Sequence, residues 1–72
     1  MITLEAIDFK RTKLGYLYKQ MNEIEMVLIS VKVIGDMDRM ETIEKDKAKV
    51  WNYIQTLEEE IRNDWDLLNN PV

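Results

Sequence analysis

The sequence predicts an all-α fold, an antiparallel hairpin of two long helices that dimerises into a four-helix bundle. Three observations lead there. Leu14, Leu17, Met21, Ile24, Leu28 and Val31 recur in alternating steps of three and four residues, which is the spacing of one face of a coiled-coil-like helix. Met40, Ile43, Val50, Ile54, Leu57, Ile61 and Leu68 keep the same steps in the second half. Between the two seams stands Gly35, a residue that can take the left-handed conformation found just past helix ends.

The first helix is expected over about residues 3–34. Its seam extends back through Lys10, a polar interruption, to Ile7, and Thr3 can cap the first turn while Glu5 and Asp8 suit the positive end of the helix dipole. The segment "EMVLISVKVIGDMD" (residues 25–38) competes with this reading, because Val27, Ile29, Val31 and Val33 alternate as in a strand. Leu28 and Val31 continue the helical seam without a break, so the segment is read as the last two turns of the helix. A turn at about 35–37 follows. The second helix, about 38–68, can be capped by Asp36 or Asp38, is interrupted at Lys47 and Asp64, and meets a stop signal in Asn69, Asn70 and Pro71. Each helix would be about 30 residues, or ~45 Å, and so short a connection makes them antiparallel neighbours in one domain covering residues 1–72.

Charge supplies an independent reading of the register. If Val31 lies opposite Met40, then Leu28 meets Ile43, Met21 meets Val50, Leu17 meets Ile54 and Leu14 meets Leu57. The same register sets Lys10, Arg11 and Lys13 across from Glu58, Glu59 and Glu60, and sets Lys45, Lys47 and Lys49 against Glu23 and Glu25. Exposed pairs contribute only about 0–1 kcal/mol each, so they report orientation more than stability.

A chain of 72 residues is near the size at which one core needs a staple. With no cysteine and no histidine, neither a disulfide nor an ordinary zinc site can supply it, which leaves a second subunit. The expected state is therefore a homo-oligomer, most simply a dimer. The lack of cysteine fits a reducing cytoplasm. "MITLEAIDFK" has neither a basic leader nor an adequate apolar run, and no stretch reaches the roughly eighteen apolar residues of a membrane span, so a cytoplasmic protein without a membrane partner is expected. A net charge of −4 argues against a grip on nucleic-acid backbones, which needs a concentrated basic face. With 46% hydrophobic residues and only two glycines and one proline, the chain can supply a core.

The chemical motifs fail when followed residue by residue. "DMDRME" (36–41) clusters carboxylates at a turn, but a calcium loop starting at Asp36 would place glycine and glutamate where Glu41 and Lys47 stand. The glutamates at 41, 44 and 58–60 lack the histidines of a di-metal carboxylate bundle. General base chemistry would fall to carboxylate or lysine in a chain with no cleft to shift its pKa, so neither an enzyme nor a cofactor is expected. Plasmid RNA-regulator dimers are similar in length and architecture, and Lys10, Arg11 and Lys13 could contact RNA; Glu58 to Glu60 are the expected partners of that cluster instead. "IDFKRTKL" (7–14) resembles the first helix of the short aspartyl-phosphate phosphatases of sporulating bacteria, which are also antiparallel hairpins. Their Ser-Gln-Glu-Leu-Asp signature has no counterpart in "ETIEKDKAKVWNYIQTLEEE", so the resemblance carries no functional residue over.

What remains is surface. On a helical wheel Leu28 and Val31 face the partner helix, whereas Met26, Ile29 and Val33 sit on the opposite side, with Tyr18 and Asn22 extending the same stripe. A helix apolar on all sides wants cover on all sides. Trp51 and Trp65 lie two heptads apart on one edge of the second helix, as core, subunit interface or partner anchors. Tyr18, Met26, Ile29, Val33, Trp51 and Trp65 are therefore the candidate interface. The expected function is that of a small non-enzymatic regulatory or adaptor protein, binding another, unidentified protein stoichiometrically. Structural self-assembly and RNA binding by a hairpin dimer are the alternatives.

Overall fold

A computed structural model of the chain describes residues 2–70. Within them two helices, α1 (Leu4–Ile34) and α2 (Met37–Asn69), pack side by side as a hairpin about 55 Å long and 16 by 12 Å across. The ends follow from local chemistry. The Thr3 hydroxyl accepts from the Ala6 N–H at 3.1 Å, satisfying one of the donors that a first turn leaves open. At the other end Gly35 takes φ 83°, and its N–H and that of Asp36 both donate to the Val31 carbonyl, at 2.9 and 3.4 Å.

Asp36 then turns the chain into α2. Its carboxylate accepts from the Arg39 N–H at 3.2 Å while its carbonyl accepts from the Met40 N–H at 3.0 Å. Of the two candidate caps, Asp36 is the one used, which is why α2 starts at Met37. The helix ends at Asn69, with the Asn70 N–H on the Asp66 carbonyl at 2.9 Å; Pro71, the last part of the expected stop signal, lies outside the described residues. The whole of 27–33 is helical, and Leu28 and Val31 are buried while Ile29 is 63% exposed. Two residues three apart share the covered face, as a helix requires and a strand forbids.

The core is thin and linear. Met21, Val50 and Ile54 form its centre, with Leu14, Leu17 and Ile24 packed against them. Leu28 and Val31 extend it toward the turn, and Ile7 and Leu57 are buried on the other side. Met21 with Val50 and Leu17 with Ile54 are pairs expected from the register, and they fall in the same cluster. The seam interruptions find polar partners: Lys10 and Asp64, one from each seam, meet at 2.6 Å, and Lys47 reaches Glu25 beside the first seam at 3.5 Å.

Gly15 sits inside α1, exposed, and a methyl group added there would meet nothing within 4 Å. Glycine in a helix interior costs about 0.5–1 kcal/mol relative to alanine. Gly15→Ala should thus raise the melting temperature by roughly 3–8 °C for a domain of this size, read by circular dichroism. An unchanged or lower melting temperature would contradict an exposed, helical Gly15.

Candidate functional site

The flanks of the hairpin are stitched by polar contacts, and these decide which groups remain free. Lys10 bridges Glu60 at 3.8 Å and Asp64 at 2.6 Å, and the Asp64 side chain is only 13% exposed. Tyr18 donates its hydroxyl hydrogen to Glu58. The expected facing of the basic cluster and the three glutamates therefore needs correction in its detail: Lys10 takes Glu60 and the more distant Asp64, Glu58 goes to a tyrosine, and Arg11 and Lys13 form no ion pair among the described residues. Lys47 does meet Glu25, whereas Lys45 turns to Glu41 four residues earlier on its own helix at 3.5 Å, and not to Glu23. The reason is distance along the surface, since neighbours at i and i+4 are closer than groups across the hairpin.

These contacts leave a mark on titration. The Asp64 hydrogen bond, then the charges of Asp64 and Glu60, hold the Lys10 ammonium above its ordinary pKa despite some desolvation. The hydrogen bond to Glu58, helped by desolvation and by the carboxylate charge, raises the Tyr18 phenol as well. Both shifts favour the protonated form in the folded state. Their stabilisation is therefore present at neutral pH and is lost as pH rises through the raised values, alkaline of about pH 10. Melting temperature should fall modestly in that range, because exposed contacts contribute little, and Lys10→Met with Tyr18→Phe should reduce the fall. An equal loss in the double variant would show that neither contact survives in solution.

The candidate interface residues are on the outside. Met26 is 69% exposed, Ile29 63% and Val33 84%, while Tyr18 and Trp51 are about half covered and Trp65 is of intermediate burial. At 100° per residue Tyr18, Met26, Ile29 and Val33 span an arc of about 80° on α1. Tyr18 and Glu25 are one heptad apart, as are Trp51 and Glu58. Because Tyr18 contacts Glu58 and Glu25 contacts Lys47, the Tyr18 edge of the stripe lies on the same side of the hairpin as the tryptophan edge of α2, with Ile29 about 20° and Val33 and Met26 about 60–80° further round α1. On this side opens a groove of about 410 Å³, lined by Met21 and Glu25 from α1 and by Glu44, Lys47, Ala48 and Trp51 from α2. The sequence places Met21 in the seam and not in a groove, and it does not single out Ala48. The small Ala48 three residues before Trp51 was the available signal, since it leaves room beside a large ring.

The opposite side is also apolar in places but broken by charge. One groove there runs past Ile24, Val27 and Ile43 between Gln20, Glu23 and Asp46, and another past Leu17, Tyr53 and Leu57 between Lys13, Thr56 and Glu60. Among the described residues, no group of three or more acidic side chains is placed to hold a metal ion, and no helix is long and apolar enough to cross a membrane. Among the described residues seven hydrophobic side chains are buried, while thirteen large ones stay exposed. In comparison with known proteins, the chain matches no protein-family model, no curated protein and no solved structure.

Proposed function

We propose that the chain is a small non-enzymatic regulatory or adaptor protein of the cytoplasm that binds another protein stoichiometrically, and that its working form is a dimer of hairpins arranged as a four-helix bundle. The observation that carries this reading is the exposed apolar stripe, Met26, Ile29 and Val33 beside Trp51, on a chain whose own core is a single row of side chains. Such a surface gains by being covered. Binding chemistry also fits what the residues offer. The grooves are open, and histidine and cysteine are absent, so stoichiometric recognition asks less of this chain than catalysis would.

The dimer is tested by sedimentation and by a melting temperature that rises with protein concentration. A monomer mass with a concentration-independent melt would remove it. The adaptor role is tested by affinity purification followed by mass spectrometry. It predicts one partner in fixed ratio, and a series of retained proteins without fixed stoichiometry would count against it. A second reading, structural self-assembly, draws on the apolar residues of the opposite side, Phe9, Val27, Tyr53 and Leu67, which are also exposed. That reading predicts species larger than a dimer. RNA binding through the Lys10, Arg11 and Lys13 edge has less support, because Lys10 is engaged by two carboxylates and the chain carries a net charge of −4, although Arg11 and Lys13 form no ion pair among the described residues.

A further inference from the structure

The two open sides of the hairpin are not equivalent. Val27 and Tyr53 lie in separate grooves, each bordered by charged residues, on one side. The other side carries both a ridge and a hollow: Ile29 stands exposed on α1, with Val33 and Met26 further round the helix, and the groove of Met21, Ala48 and Trp51 is sunk between the helices. That groove is bordered by charge as well, by Glu25, Glu44 and Lys47, and of these Glu25 and Lys47 are paired with each other. An isologous dimer contact needs a ridge and a hollow on one surface, so that each copy can seat its ridge in the other's hollow across a two-fold axis.

Area points the same way. The chain exposes 5881 Å², whereas a folded monomer of 8.6 kDa is expected to expose ~4,700 Å². The excess of ~1,200 Å² per chain is more than the ~800 Å² per partner that a specific interface buries. One interface of that usual size would remove about two thirds of the excess, which the elongated shape of the hairpin creates.

We infer that the Trp51 side is where two copies of this chain meet, each laying its Ile29 ridge against the Trp51 groove of the other. The inference rests on the dimer proposed above and adds which face makes it. In the dimer Trp51 passes from a half-exposed to a buried environment, while Tyr53, on the opposite side, stays in water.

The test uses the tryptophan as its own probe. In the full-length Trp65→Phe variant Trp51 is the remaining indole, and its emission should shift to the blue and resist acrylamide quenching over the concentration range in which sedimentation shows the dimer forming. Ile29→Asp should weaken dimerisation at least about a hundredfold, as a charge set into an apolar contact does, and should abolish that shift. Tyr53→Asp should change dimerisation by less than about threefold, since a charge at a site still in water loses no hydration. If the dimer forms while Trp51 emission stays fixed, or if Tyr53→Asp breaks it and Ile29→Asp does not, the face is wrong and the dimer stands. If the protein sediments as a monomer throughout, the dimer falls and the assignment of its face falls with it. The fluorescence arm does not depend on the charged variants folding.

Discussion

Leu28→Asp should unfold the protein, whereas Ile29→Asp, one residue on, should keep its helical content. Leu28 is 6% exposed in the seam and Ile29 is 63% exposed on the outer stripe, about 100° further around the same helix. An unpaired carboxylate forced into an apolar core costs several kcal/mol. A domain of this size has roughly 4–11 kcal/mol of stability in total, so the first substitution removes most of it. Far-UV circular dichroism at 20 °C is sufficient to read the result. The expected spectra are a largely unfolded Leu28→Asp and a helical Ile29→Asp whose melt no longer depends on protein concentration. If the dimer is required for folding, the helicity of Ile29→Asp returns at high concentration, and that of Leu28→Asp does not. Equal loss in both at every concentration would contradict the separation of seam and stripe.

That separation was legible in the sequence because it is a matter of period. Leu28 and Val31 continue a three-and-four spacing begun at Leu14, and no β-branched content at Val27, Ile29 and Val33 alters where the seam points. The caps were legible for a similar reason. Threonine at 3, glycine at 35 and aspartate at 36 are each suited to a backbone group that a helix end leaves unpaired. Long-range polar contacts were less so. The sequence aligned two blocks of charge, but the block was the wrong unit: Lys10 reaches past Glu60 to Asp64, and a tyrosine takes Glu58. Long flexible side chains reach about one helical turn in either direction, so register locates a neighbourhood and leaves the partner to be decided by rotamers. The better clue was that Lys10 and Asp64 each interrupt a seam, since two polar residues on facing apolar stripes gain most by meeting each other. The groove beside Trp51 was hidden for another reason. A hollow is made by what is absent, here the bulk missing at Ala48, and apolar periodicity registers only what is present.

Ile54→Ala should be among the most destabilising truncations in the chain, and more damaging than Ile7→Ala although both isoleucines are 0% exposed. Ile54 belongs to the central cluster with Met21 and Val50, and Leu14, Leu17 and Ile24 pack against that cluster. Helices continue in both directions from this point, so the surrounding chain has little freedom to close the space left by the missing carbons. Ile→Ala changes in such places cost about 2–5 kcal/mol, the upper part of the range belonging to cavities that cannot collapse. Ile7 lies in the first turn of α1, three residues from its start at Leu4, where the end of a helix can shift or fray to fill a void at smaller cost. Chemical denaturation should thus place Ile7→Ala near the lower end of that range and Ile54→Ala near its upper end, with the midpoint of the latter falling furthest. The opposite order would mean that the hairpin is held chiefly at its open end, around Ile7 and the Lys10 to Asp64 bridge, and that the central row of side chains is a weaker contact than its burial implies.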